Sequence, residues 1–251
     1  MKDRVQFLPW DSRFFGLRIA RLTPNTLNVD SAREALKECE RKKIDCLYFL
    51  SRSDHPATLL LAKSFDFHFI DIRMTYRLDL SRRQELFEME PGEERLDFRL
   101  ARSKDAEWLG RLAMISYPHS RFAIDPRFPK NSHQRLFKEW VTRSIHGKFD
   151  DCVWIAEAGR KSAGFISCRR STRDAGHIGL VGVEPRFRGK RIGAFLIGQA
   201  FRWFRDKGIR TIRVVTQGSN IAAQRLYQRG GFRTESVELW HHRWFHAKGP
   251  R

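Results

Sequence analysis

Apolar and polar residues alternate over residues 70–79, where Ile70, Ile72, Met74, Tyr76 and Leu78 interleave with Asp71, Arg73, Thr75, Arg77 and Asp79. A period of two is the mark of a strand buried on one face. Phe67 and Phe69 alternate in the opposite register, and a kink or bulge near Ile70 and Asp71 would reconcile the two halves. A plain strand with a solvated polar face is the other reading. Upstream, Ser31 is placed to cap a helix to about residue 43, residues 46–50 read as a short strand, and Asp54 followed by Pro56 starts a second helix. Strand and helix therefore alternate, as in an α/β layer.

Residues 81–95 (SRRQELFEMEPGEER) are charged and contain Pro91 and Gly92, and they separate two segments of clear periodicity. They read as a linker between a smaller α/β unit, residues 1–80, and a larger unit, residues 96–246. In the larger unit residues 98–101 read as a strand and 104–115 as a helix, followed by an irregular segment with three prolines, YPHSRFAIDPRFPKNS. Leu136, Trp140, Val141 and Ile145 have helical spacing, and residues 153–157, 164–169 and 177–183 read as three successive strands, the last an almost unbroken apolar run typical of a central strand. After it comes the basic loop EPRFRGKRIG, then an amphipathic helix in which Ile192, Phe195, Leu196, Ala200, Trp203 and Phe204 share one face and Gly208 terminates.

With 251 residues, 41% hydrophobic and 12% aromatic, the chain can bury one large core or two modest ones, which excludes a disordered tail or a stapled mini-protein. The four cysteines form no CxxC pair and no histidine cluster has metal-ligand spacing, so neither a zinc site nor a disulfide framework is expected. Asp3, Arg4, Asp11, Arg13 and Arg18 interrupt any signal-peptide core, and the apolar run at residues 175–183 is about half of a membrane span. The expectation is a soluble protein of the reducing cytoplasm. Residues 1–96 hold 17 basic against 16 acidic side chains and residues 97–251 hold 31 against 13, so the excess positive charge lies in the C-terminal part. That field favours a polyanion: nucleic acid, an anionic membrane or a phosphate-rich small molecule.

A basic, glycine-containing loop between a strand and a helix N-terminus aims several N–H groups and the helix dipole at one place, which suits a pyrophosphate. A solvated turn is the plainer reading of the loop alone. The fuller string is more specific: Val183, Pro185, Arg188, Gly189, Ile192 and Gly193, a long helix, a strand at residues 211–216, Asn220, and then Ala222, Ala223, Leu226, Tyr227, Gly231 and Phe232. It resembles the acetyl-CoA-binding core of the GNAT superfamily of N-acetyltransferases, which implies a mixed-sheet α/β fold. The middle glycine of the superfamily's RGxGxG is Arg191 here, a side chain that is accommodated if the residue enters the first helical turn. PWDSRFFG (residues 9–16), SRF (120–122), GKFDDC (147–152) and RVVTQGSNIAAQRLY (213–227) are similar to the dTDP-fucosamine acetyltransferase family, which acetylates the amine of dTDP-4-amino-4,6-dideoxygalactose.

The resemblance implies direct transfer from acetyl-CoA to a nucleotide-sugar amine in a ternary complex, with no metal. It implies that backbone groups of Leu180, Val181, Gly182 and Val183 contact the thioester side and supply an oxyanion donor. Arg188, Gly189, Lys190, Arg191, Ile192 and Gly193 then hold the pyrophosphate, and Asn220 contacts the cofactor's arm. Tyr227 falls on the general-acid position and Asp71 on that of a carboxylate acting as base through water, with bulk or backbone-bound water as the alternative. A core-facing aromatic and a solvated or Arg73-paired aspartate are the plainer readings of those two residues. Arg121 borders the acceptor pocket, where it would bind a diphosphate, and Phe122 and Tyr117 would stack on a base or sugar ring; an exposed arginine and buried aromatics are the alternatives. Arg121, Arg127 and Lys130 favour an anionic acceptor over a polyamine, an aminoglycoside or a protein N-terminus. A nucleic-acid-binding module remains a competing class, although no recognition helix or exposed-aromatic signature accompanies the charge. A homodimer is compatible with the sequence.

Overall fold

The structure, a computed structural model, describes residues 4–82 and 96–245. The N-terminal part runs β1 (Val5–Phe7), α1 (Pro9–Phe15), β2 (Ile19–Leu22), α2 (Val29–Arg41), β3 (Cys46–Arg52), α3 (Pro56–Ser64) and β4 (His68–Asp79). The rest runs β5 (Leu96–Leu100), α4 (Ala106–Ser116), α5 (Arg121–Ile124), α6 (Ser132–Ile145), β6 (Cys152–Ala158), β7 (Lys161–Arg170), β8 (Ala175–Val183), α7 (Ile192–Asp206), β9 (Thr211–Gln217), α8 (Ile221–Arg229) and β10 (Arg233–Trp244). All ten strands form one mixed sheet in the order β1-β2-β3-β10-β4-β9-β8-β7-β6-β5, with β2/β3 and β8/β9 parallel. The α/β expectation for the fold is met. Among the described residues no helix is long and apolar enough to cross a membrane.

Local chemistry accounts for the element ends. The cap of α2 is Asn28, three residues before the expected Ser31: Asn28 Oδ1 accepts the Ser31 N–H at 2.8 Å and Ser31 Oγ accepts the Asn28 N–H at 3.0 Å. This reciprocal arrangement satisfies two orphan donors at once. Pro56 opens α3, as its fixed φ and missing N–H allow at a first helical position. The bulge expected in β4 is present: Asp71 pairs with Trp240 and Phe69 with His241, which leaves Ile70 as the extra residue.

Strand β10 was not anticipated from the sequence, and it joins the two ends of the chain. It runs antiparallel to both β3 and β4, so strands from either side of residues 81–95 belong to the same sheet. The expected linker itself lies outside the described residues except for Ser81 and Arg82, which end a short 3-10 turn. Helices α7 and α8 cover one face of the C-terminal half through Leu196, Ala200, Phe204 and Tyr227, and α4 and α6 cover the other through Leu109, Leu112, Leu136 and Val141. Helices α2 and α3 close a third cluster over β1, β2 and β3.

Candidate active site

Parallel pairing between β8 and β9 runs from Ala175 opposite Thr211 to Ile178 opposite Val214 and stops. Beyond it residues 179–183 and 215–217 diverge and open a slot in the middle of the sheet. The cause is a bulge in β8, where Gly179 and Leu180 together oppose Ser167, between the pairs Cys168–Ile178 and Ile166–Val181. Leu180 N–H is turned onto Ser167 Oγ at 2.8 Å. Gly179 lies over the buried carboxylate of Asp150, whose Oδ2 is 2.6 Å from where a Cβ would stand. Asp150 is itself held by Trp140 Nε1 at 3.0 Å and Ser144 Oγ at 2.8 Å.

The slot widens into a cleft of about 1550 Å³, large enough for two substrates by ordinary pocket sizes. Val181 and Tyr117 set one wall, the Tyr117 hydroxyl donating to Val181 O at 2.9 Å while its ring stacks on Phe137 at 4.2 Å. The N–H and C=O of one strand residue point to the same edge, so Val181 N–H also faces the open side, whereas that of Leu180 is spent on Ser167.

One end of the cleft is the loop before α7. Gly189 has φ +80° and Arg191 has φ +61°, and the first-turn amides of Ile192, Gly193 and Ala194 have no acceptor within the helix. Arg191 thus lies just outside the first helical turn; it is the N-cap, in the left-handed region that favours glycine. Arg188 Nε donates back to Val183 O at 3.3 Å. Lys190 is the one proposed loop residue that does not line the cleft, and its ammonium lies 5.6 Å from the Phe187 ring centroid. The loop and slot suit coenzyme A: a positive-φ glycine, free helix-start amides and an unpaired strand edge are the features a diphosphate and an extended amide-bearing arm require.

Tyr227 and Asn220 stand along the same wall. Asn220 Oδ1 caps α8 by accepting Ala223 N–H at 3.1 Å, which leaves its amide nitrogen as the donor for another group. Tyr227 is 5% exposed, its ring 5.9 Å from that of Tyr76, and burial pushes its phenol well up, so it stays protonated at neutral pH.

The other end holds Asp71, Arg121, Phe122 and Trp240. Asp71 is 8% exposed, and its Oδ1 accepts Ile72 N–H at 2.8 Å. Burial pushes its carboxyl up to about 6, against the pull of that hydrogen bond and of the Arg121 and His119 charges. Arg73 is bound instead to Glu238 at 2.9 Å, so the pairing of Asp71 with Arg73 does not form. The Arg121 guanidinium lies 4.0, 4.2 and 4.1 Å from the ring centroids of Tyr48, Phe122 and Trp240, and burial lowers its pKa. Phe122 is packed on Phe15 and Phe128 at 5.0 and 5.2 Å. Asp150, Ser167, Trp240 and His242 were not singled out from the sequence; the alternation in residues 233–244 was the available signal for the last two.

The acetyltransferase (GNAT) family model matches residues 113–232. The dTDP-fucosamine acetyltransferase of Escherichia coli O6:H1 is 30% identical over 145 residues, 57% of this chain and 62% of that protein. The spore coat polysaccharide biosynthesis protein SpsD of Bacillus subtilis is 29% identical over 140 residues, 56% of this chain and 48% of that protein. These matches thus span about half to three fifths of the length of the two curated relatives. Among solved structures, a functionally unknown conserved protein from Staphylococcus epidermidis superposes with a TM-score of 0.68 at 16% identity, over 97% of this chain and 92% of that one. A GCN5-related N-acetyltransferase from Sphaerobacter thermophilus gives a TM-score of 0.66 at 14% identity, over 96% and 76%. The splayed β8 and β9 and the loop before α7 lie inside the matched segment, so residues 113–232 are the part of the chain that is similar to the acetyltransferase (GNAT) family.

Proposed function

We propose that the protein transfers the acetyl group of acetyl-CoA to the amine of an amino sugar carried on a nucleotide, in the cytoplasm. The observation that carries this reading is one continuous cleft, which joins a helix start with unpaired amides at one end to a buried carboxylate and a caged guanidinium at the other. Similarity to a dTDP-fucosamine acetyltransferase supports the acceptor class. In this reading residues 1–80 complete the acceptor end, since Asp71 and Tyr48 come from β4 and β3.

Acetyl-CoA supplies the activated acyl group. The amides of residues 189–193 hold its diphosphate, that of Arg188 being spent on Pro185 O at 3.2 Å, and Asn220 contacts its arm. Val181 N–H donates to the thioester oxygen as negative charge develops there, an effect worth roughly 3 to 4 kcal/mol in other enzymes. Asp71, held near pH 6, takes the proton that the acceptor ammonium must lose before it attacks, directly or through one water. Tyr227 returns a proton to the departing thiolate. Arg121 anchors the acceptor's phosphates and Phe122 and Tyr117 line its path. The test is incubation with acetyl-CoA and dTDP-4-amino-4,6-dideoxygalactose, reading free thiol and product mass. Acetylated sugar is expected. Thermal protection by coenzyme A without product would overturn the acceptor, and neither protection nor product would overturn the reading as a whole.

A further inference from the structure

The acceptor end contains a buried polar chain that no step above uses. His242 on β10 is fully buried, and its Nε2 faces Arg121 Nη1 at 2.8 Å. Its Nδ1 faces Asp125 Oδ2 at 2.7 Å, and the same oxygen accepts Trp244 Nε1–H at 3.0 Å. Asp125 Oδ1 accepts the Arg127 N–H at 3.1 Å. An arginine can only donate, so His242 Nε2 must carry the lone pair and Nδ1 the proton, and Asp125 accepts that proton's hydrogen bond. Burial pushes His242 down to about 4, so the ring is neutral. Burial alone would raise Asp125, but the hydrogen bonds from His242, Arg127 and Trp244 hold it below the usual carboxylate range. The order of charges is therefore carboxylate, neutral imidazole, guanidinium.

That chain reaches a guanidinium whose faces are occupied by Tyr48, Phe122 and Trp240 and whose one hydrogen bond among the described residues is the one to His242. Arg121 lines the cleft, and among the described residues its other N–H donors have no protein acceptor. Half-buried donors at a cleft wall, held beside three rings, are placed to meet an anion, and a planar fork matches a phosphate in two-point fashion. Asp11 and Asp71 act on Arg121 only through space.

We propose that Arg121 is a preorganised anchor for the diphosphate of the acceptor, and that His242 and Asp125 are its positioning residues, fixing the rotamer in which the guanidinium edge faces the cleft. The inference rests on the nucleotide-linked acceptor proposed above. It assigns acceptor affinity to a strand, β10, from the far end of the chain.

The test uses calorimetric titration of the full chain with thymidine diphosphate, in saturating coenzyme A so that the loop before α7 is already filled. Asp125→Asn retains the shape but removes the negative charge and one acceptor, so its NH2 must oppose either the Arg127 N–H or the His242 and Trp244 donors, and the support beneath His242 weakens. His242→Asn keeps a polar atom near Nδ1 and removes the acceptor for Arg121, whereas His242→Gln places an oxygen near Nε2. Asp125→Asn and His242→Asn are expected to weaken thymidine diphosphate about tenfold or more, with His242→Gln within about threefold of wild type and coenzyme A affinity unchanged in all three. Arg121→Gln should abolish uptake. Equal diphosphate affinity in wild type, Asp125→Asn and His242→Asn overturns the positioning role while leaving the acceptor reading intact. Parallel loss of coenzyme A and diphosphate affinity in all three variants overturns it as well, as a general folding effect. Absence of diphosphate uptake by wild type overturns the anchor and the nucleotide-linked acceptor together.

Discussion

Replacing Asp71 by asparagine should make the protein more stable and less active at once. The carboxyl is 8% exposed and burial raises it from 3.8 to about 6. The folded chain therefore binds this proton more tightly than the unfolded chain. Its favourable contribution is complete below about pH 4 and is lost as pH rises through about 6. Above that, the buried charge costs about 3 kcal/mol relative to an exposed one, at about 1.4 kcal/mol per pH unit, and solvent in the cleft screens this to on the order of 2 kcal/mol. Asparagine keeps the oxygen that accepts Ile72 N–H and removes the charge. At pH 7.5 the variant should melt roughly 4–8 °C above wild type, and the difference should vanish by about pH 4. Without the base, kcat/KM should fall roughly 10²- to 10⁴-fold, and the limb that rises through about pH 6 in wild type should be absent. Thermal unfolding between pH 4 and 8 and thiol-release profiles over the same range read both effects. A variant less stable than wild type at pH 7.5, or one whose activity still rises through about pH 6, would refute the reasoning.

Tyr227→Phe removes a phenol without altering the packing against Tyr76 and Phe232. It should lower kcat by roughly 10²-fold or more with acetyl-CoA affinity intact, measured by steady-state thiol release. Arg191→Gly relieves a left-handed residue at a cost offset by glycine's own entropy, for a net gain of about 0.5 kcal/mol. Thermal melts should show that gain, while titration should show acetyl-CoA binding several-fold more weakly as one phosphate-side cation is lost; unchanged affinity would remove Arg191 from the phosphate site.

Much of the donor end was legible in the chain because its determinants are local. The apolar run of β8, the loop from Glu184 to Gly193 and the amphipathic face of α7 each occupy consecutive residues, so period and turn chemistry reveal them. The bulge at Ile70 was legible for the same reason, since two apolar registers met within four residues. Arg191 shows the limit even there: its backbone conformation follows from how the loop closes onto the sheet, which no side-chain pattern records.

The acceptor end was decided by tertiary structure. Strand β10 alternates weakly, and its place between β3 and β4 depends on pairings such as Ser51 Oγ with His241 Nε2, separated by 190 residues. Arg121 was visible as a charge, but its aromatic cage and its link to His242 bring together residues from β3, α5 and β10. Asp150 likewise sits under Gly179 only because β7 and β8 slip by one residue there. Local periodicity determines which segments become strands and helices and where an anion meets a helix start. Which side chains share a buried volume is determined by the free energy of closing the whole sheet, and that sum runs over contacts too distant in the chain to leave a local pattern.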